Sequence, residues 1–94
     1  MSGTQVTEDT AADTRTRRAP CYRVLLHDDD KNTMPFVVIC LMNVFGLAFP
    51  DARAIMSEAH ATGTALCRVA PLPEATRDRD RLRSHGLTST VEPD

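Results

Sequence analysis

Three consecutive aspartates, Asp28–Asp30, follow an apolar stretch and His27, and a second histidine, His60, lies further along the chain. Carboxylates and imidazoles in one site could bind a divalent cation, catalyse proton transfer or hold a cationic group. The run lacks the alternating oxygen ligands and the central glycine of an EF-hand loop. No nucleophile in a recognisable setting, phosphate-binding loop or cofactor motif accompanies it, so an enzyme is not the favoured interpretation.

Two further interpretations remain. The run could form a turn in which the aspartates accept hydrogen bonds from backbone N–H groups, or it could bind a cation. A carboxylate accepts charge-assisted hydrogen bonds of about 1.5–3 kcal/mol each, and an ammonium group is its natural partner. The apolar segment that begins at Met34 would suit a ligand with an ammonium group beside a hydrophobic side chain. The N-terminal residue of a peptide is such a ligand, since its amine has a pKa of about 7.7–8 and is mostly charged at pH 7.

The segment Met34–Phe45 is too apolar for a helix that packs through one face, because Asn43 is its only polar residue. Either the helix is buried on all sides or part of its apolar surface lines a groove. A domain of this size can barely bury a whole helix. Residues that share a helical face are Met34, Val37 and Leu41 in this segment, and Met56, Ala59 and His60 in the next.

The chain divides into six segments in the order β-α-α-β-α-β. The predicted strands are Cys21–Leu26, Thr64–Ala70 and Leu87–Val91. The predicted helices run from about Met34 to Val44 or Phe45, from Pro50 to just before Gly63, and over a short charged stretch within Pro73–Ser84. This order predicts an α+β fold in which a small, open, antiparallel three-stranded sheet packs against helices on one face.

Residues 1–20 are polar and lack hydrophobic periodicity, which predicts a flexible N-terminal arm before a core domain at 21–94. A net charge of −2 gives no general attraction to nucleic acid or to an anionic membrane. There is no run of about 18 apolar residues and no signal-peptide core, so we expect a cytoplasmic location. The three cysteines are far apart, which predicts small buried thiols rather than disulfides or zinc ligands.

Two motifs, YRVLLHDDDKNTMPFV at residues 22–37 and MSEAHATGTALC at residues 56–67, together resemble ClpS. This family comprises small bacterial adaptors of the N-end rule, and the resemblance covers about residues 21–91. It implies a non-catalytic adaptor, without metal or cofactor, that binds N-degron substrates beginning with Phe, Tyr, Trp or Leu and delivers them to a ClpA- or ClpC-type AAA+ unfoldase. The alternatives are a general protein-interaction domain of this fold without amine recognition, and a small metal-binding protein that uses the aspartates.

The resemblance also implies roles for individual positions. Asp28 and Asp29 stand where the family usually has Asn-Asp, which helps to bind the α-amino group and the first peptide bond. His60 of H-A-T-G matches another α-amino contact, and Met34 matches a methionine at the pocket mouth. The other positions that match the side-chain pocket or its edge are Asn32, Val37, Met56, Ala59 and Leu87.

Departures from the family pattern give further expectations. Asp28 is an anion that can only accept hydrogen bonds, in place of an amide. Ligand binding should therefore depend more on salt concentration than in a family member with Asn at this position. Ala59 replaces a larger aliphatic residue, which should widen the pocket and favour large aromatic N-terminal residues. A neutral His60 can accept a hydrogen bond from the ammonium, so binding should weaken at acidic pH. The stretch between Cys67 and Leu87 is several residues shorter than expected, which should trim the last helix.

Overall fold

The computed structural model describes residues 20–94, so the predicted N-terminal arm lies outside the described residues apart from Pro20. The elements are β1 (Cys21–His27), α1 (Met34–Phe45), α2 (Phe49–Thr62), β2 (Thr64–Pro71), α3 (Leu72–Ser84) and β3 (Thr88–Pro93). β1 is the central strand, and it pairs antiparallel with β2 on one side and with β3 on the other. The predicted order and the predicted open antiparallel sheet are both confirmed.

The hydrophobic core lies between the helices and one face of the sheet. Val24 and Leu26 of β1 are buried and alternate with the half-buried Leu25, as the two-residue period of a strand requires. Leu41 of α1 and Leu82 of α3 are completely buried in the same cluster. A central strand with helices packed on one side places the loop after β1 next to the ends of α1 and α2.

Local signals fix both ends of α1. Thr33 is its N-cap, and its Oγ1 accepts a hydrogen bond from the N–H of Phe36 at 3.3 Å. Pro35 lies in the first turn, where no backbone N–H is needed. Gly46 ends the helix in the left-handed conformation (φ 68°), and its N–H donates to the carbonyl of Met42 at 2.9 Å.

One side of α1 packs into the core and another faces solvent. Its buried residues are Val38, Cys40, Leu41 and Val44, whereas Met34, Phe36 and Ile39 are exposed. The helix is therefore not buried on all sides. Of the two interpretations of its composition, the structure supports the one in which part of the apolar surface lines a groove.

A buried carboxylate in α3 is a feature that the sequence did not predict. Asp78 lies between Ala75 and Leu82 on the buried face of the helix and is 1% exposed. Its Oδ2 accepts a hydrogen bond from Nη1 of Arg68 on β2 at 2.8 Å. This charge-assisted bond compensates for removing the carboxylate from water and joins α3 to the sheet.

The cysteines differ in their surroundings. Cys40 is buried and Cys67 is half-buried, but Cys21 is exposed at the start of β1, so the expectation of buried thiols is wrong for Cys21. Burial raises the pKa of the Cys67 thiol to about 12, which keeps it protonated at neutral pH. Within residues 20–94, none of the helices has the length and apolarity needed to cross a membrane.

Candidate functional site

The main chain fastens the loop after β1 to the end of α2. The N–H of Asp28 donates to the carbonyl of Gly63 at 2.9 Å. Gly63 closes α2 in the left-handed conformation (φ 97°), and its own N–H donates to the carbonyl of Ala59 at 2.8 Å. These bonds place the first loop aspartate beside the last turn of α2, so Oδ1 of Asp28 lies 3.6 Å from Nδ1 of His60. In H-A-T-G, the three-residue spacing from His60 to Gly63 therefore places the imidazole beside Asp28, because Gly63 bonds to the backbone of that aspartate.

The Asp29 carboxylate organises the loop. Its Oδ1 accepts hydrogen bonds from the N–H groups of Lys31 and Asn32, both at 2.9 Å. The Asn32 side-chain amide donates to Oδ1 and Oδ2 of Asp29 at 3.3 and 3.1 Å, and to the carbonyl of Gly86 at 3.0 Å. The predicted turn, in which an aspartate accepts backbone N–H groups, is therefore confirmed at Asp29.

Opposing effects act on the pKa of Asp29. Its partial burial raises the pKa, because burial disfavours the charged form. The hydrogen bonds from Asn32 and Lys31 stabilise the charged form and outweigh burial, so the pKa of Asp29 lies below its usual value. Asp29 is consequently a carboxylate at neutral pH, and most of its hydrogen-bonding capacity is taken up by the loop.

The Asp28 carboxylate is largely free by comparison. Among residues 20–94 it accepts no side-chain hydrogen bond, and its separation from His60 exceeds hydrogen-bonding distance. The two side chains are 42% and 58% exposed, respectively. Both groups are therefore available to a ligand that approaches from solvent.

The loop, α1 and α2 enclose a cavity of about 290 Å³. Its polar end is formed by Asp28, Asp29, Asp30, Asn32 and His60, and its apolar wall by Met34, Val37, Met56 and Ala59. The volume lies near the lower limit for small-ligand pockets. A ligand that fits this cavity has a small polar or cationic end joined to one hydrophobic group.

All of the predicted site residues except Leu87 line this cavity. Leu87 is buried in the core, where its N–H donates to the carbonyl of Leu82 at 3.2 Å. The lining residues that the sequence did not assign to a binding pocket are Leu26, His27, Asp30 and Thr33. They are next to predicted site residues, near the end of β1 and the start of α1. Their position in the chain was therefore the signal that could have identified them as cavity residues.

His27 is the most distinctive of these additional residues. Its Nε2 lies 2.6 Å from Oγ1 of Thr90 on β3, which holds the ring against the sheet. Within residues 20–94, no group of three or more His, Cys, Asp or Glu side chains is arranged to hold a metal ion.

Comparison with known proteins gives consistent matches. The family described as "ATP-dependent Clp protease adaptor protein ClpS" matches residues 17–90. A ClpS adaptor of Synechococcus elongatus is 48% identical over 82 residues, which is 86% of each chain. A chloroplastic ClpS adaptor of Chlamydomonas reinhardtii is 45% identical over 78 residues, covering 82% of this chain and 48% of that protein. The structure of Agrobacterium tumefaciens ClpS2 bound to L-phenylalaninamide has a TM-score of 0.76 at 29% identity, covering 82% of this chain and 100% of that chain.

These matches define a non-catalytic class of protein, the adaptors of the ATP-dependent Clp protease. The chain belongs to the ClpS family, which its two motifs had indicated. It is an adaptor of the ATP-dependent Clp protease rather than an enzyme.

Proposed function

We propose that the chain binds the N-terminal residue of N-degron substrates in the cavity between the loop, α1 and α2. Asp28, Asp29 and His60 hold the α-amino group, and a bulky hydrophobic side chain packs against the apolar wall. The observation that carries this proposal is that the exposed Asp28 carboxylate, which accepts no hydrogen bond from residues 20–94, lines a cavity with an apolar wall. A buried carboxylate without partners would be costly, whereas this one is exposed and ready to accept a charged donor.

The ligand in the related Agrobacterium structure supports the proposal by its chemistry. L-Phenylalaninamide has a free α-amino group, a phenyl side chain and an amide, as the first residue of a peptide beginning with Phe does. In this chain, an ammonium beside Asp28 and His60 would meet one carboxylate and one ring nitrogen, at usual hydrogen-bond lengths of about 2.7–3.2 Å. Asp29 can contribute through Oδ2, which accepts fewer hydrogen bonds than Oδ1.

The cavity wall favours large aromatic N-terminal residues. Ala59 is buried and lines the cavity with a single methyl group, which leaves space where a longer aliphatic side chain would protrude. We expect peptides that begin with Phe, Tyr or Trp to bind several-fold more tightly than a peptide that begins with Leu. Ala59→Val should reduce that difference. Tighter binding of the Leu peptide by the unmodified protein would contradict this preference.

The direct test is fluorescence anisotropy with a labelled peptide that begins with Phe and with its N-acetylated counterpart. The free-amine peptide should bind at least about tenfold more tightly, since acetylation removes a charge-assisted hydrogen bond of about 1.5–3 kcal/mol. Equal binding of the two peptides would instead support a general interaction domain without amine recognition. Stabilisation by Mg²⁺ or Ca²⁺ that EDTA reverses would support the metal-binding alternative.

Delivery to a ClpA- or ClpC-type unfoldase is the second part of the proposal. It is supported by the description of the family as an adaptor of the ATP-dependent Clp protease. A reporter protein that begins with Phe should be degraded by ClpP with ClpA, or by ClpP with ClpC, faster when the chain is present. An unchanged rate with both unfoldases would contradict delivery while leaving peptide binding intact.

A further inference from the structure

A second groove lies between α1 and α2, beside the cavity. It has a volume of about 330 Å³ and eight lining residues, among them Met34, Ile39, Phe49, Arg53 and Met56. Arg53 is the one charged residue among them. The groove is therefore suited to an apolar group rather than to a polar or basic one.

Large apolar side chains around this groove are unusually exposed. Met34, Ile39 and Phe49 are 45%, 55% and 54% exposed. Isolated exposed apolar residues are common, but several around one groove are typical of an interaction site. Covering them would remove apolar surface from water and so favour binding.

The groove adjoins the candidate binding cavity. Met34 and Met56 line both, one contributed by α1 and the other by α2. These two flexible thioether side chains separate the two spaces and can repack around different ligands. Successive residues of an extended peptide lie about 3.3–3.6 Å apart, so the second and third residues of a peptide can extend from the cavity past the two shared methionines.

We propose that this groove is a second subsite, which binds an apolar side chain at the second or third position of the same peptide. The inference rests on the proposed function, because the first residue must occupy the cavity. It narrows the substrate class to N-degrons in which a bulky first residue is closely followed by an aliphatic or aromatic residue. The shared methionines favour this occupant over a second copy of the chain, since a residue bound in the cavity lies against two side chains that also line the groove.

Two peptides test the inference: one begins Phe-Leu-Leu, the other begins Phe-Ser-Ser, and they are otherwise identical. The first should bind the unmodified protein about fivefold or more tightly, which corresponds to about 1 kcal/mol. In the double variant Ile39→Ser/Phe49→Ser this advantage should disappear, while the affinity for Phe-Ser-Ser stays unchanged. Both side chains are more than half exposed, so the variant is expected to fold, and a thermal melt checks this.

A matched control uses apolar residues of similar exposure that lie elsewhere. Leu66 and Val69 of β2 are 40% and 41% exposed and line neither the cavity nor the groove. Leu66→Ser/Val69→Ser should keep the full advantage of the Phe-Leu-Leu peptide. Loss of the advantage in both double variants would overturn the inference, because the effect would then not belong to the groove.

The remaining outcomes separate this inference from the proposed function. Equal affinity of the unmodified protein for the two peptides overturns the subsite but leaves N-terminal recognition standing. Failure of both peptides to bind overturns the proposed function and the subsite with it. A dimer in light scattering that becomes a monomer in Ile39→Ser/Phe49→Ser, with equal peptide affinities, overturns the subsite because a second copy then covers the groove.

Discussion

Asp28 and Asp29 are neighbours on one loop, yet their side chains have different surroundings. Asp29 accepts hydrogen bonds from the backbone of Lys31 and from both the backbone and the side chain of Asn32. Asp28 uses its backbone N–H to bind Gly63, while its carboxylate stays free of hydrogen bonds within residues 20–94. One carboxylate therefore shapes the loop, and the loop that results leaves the other exposed in the cavity, where the proposed ligand would meet it.

This division explains how three adjacent like charges can be tolerated. The hydrogen bonds to Asp29 stabilise its negative charge locally, which lowers its pKa in spite of its partial burial. Asp30 is exposed to solvent and lines the cavity at its polar end. A ligand ammonium would offset the remaining charge at Asp28. Substitutions at Asp28 and Asp29 can test this difference, because one should change mainly ligand binding and the other should also change the stability of the loop.

Asp28→Ala should give the largest effect. We expect the affinity for a Phe peptide with a free amine to fall about 10- to 100-fold, because a charge-assisted hydrogen bond of about 1.5–3 kcal/mol is lost. The free energy of unfolding in urea should change little, since the carboxylate makes no hydrogen bond in the described chain. Glu58→Ala, which removes the same charge from an exposed position on α2, should leave the affinity nearly unchanged. Equal losses in both variants would mean that net charge alone attracts the peptide.

Asp29→Ala should reduce stability and affinity together. Two backbone N–H groups and the Asn32 amide would lose their acceptor, so we expect the free energy of unfolding to fall by about 1–2 kcal/mol. Urea denaturation measures this loss, and Asp30→Ala serves as the control at the next position of the loop. A fully stable Asp29→Ala protein would contradict the role of Asp29 in shaping the loop.

Acidification from pH 7 to pH 5.5, a range in which the peptide α-amino group is already mostly charged, should weaken peptide binding by a few-fold. Histidine side chains generally change charge in this range, and a protonated His60 can no longer accept a hydrogen bond from the ammonium. A protonated ring would also attract Asp28, whose Oδ1 lies 3.6 Å away, and so compete with the ligand. Anisotropy titrations at both pH values measure the change, and His60→Ala should show a smaller one. An equal affinity at the two pH values would remove His60 from the amine site.

Asn32→Ala should have the smallest effect and should act through Asp29. Loss of the side-chain amide should raise the pKa of Asp29 towards its usual value, which carbon-13 NMR of the carboxyl group can follow. Because the folded-state pKa is lowered, this carboxylate stabilises the fold above the unfolded-state pKa, and the contribution is lost as pH falls through the folded value. The urea midpoint of the variant should therefore drop less on acidification below about pH 4 than that of the unmodified protein. An unchanged Asp29 titration would contradict this coupling.

The sequence predicted the elements well because their ends are marked by local chemistry. Thr33, Gly46 and Gly63 cap helices through hydrogen bonds to residues three or four positions away, and the observed helix ends lie next to them. The prediction of where β3 begins was less accurate. Leu87 was assigned to the strand, but its N–H bonds to the carbonyl of Leu82, so it belongs to the turn that closes α3.

Features that depend on distant residues were not predictable from one sequence. The burial of Asp78 requires Arg68 on another element, and the orientation of Asn32 requires the carbonyl of Gly86. The division of roles between Asp28 and Asp29 likewise depends on Gly63 and on the path of the loop. The positions of most cavity residues were nevertheless indicated, because the motifs that resemble ClpS contain them.

A crystal structure of the chain with L-phenylalaninamide would test the central claim most directly. The account predicts the ligand ammonium within about 3.2 Å of the Asp28 carboxylate. It also predicts the phenyl ring against Met34, Val37, Met56 and Ala59, with Asp29 still bonded to the backbone of Lys31 and Asn32. An ammonium remote from Asp28, or a phenyl ring bound outside this cavity, would contradict it.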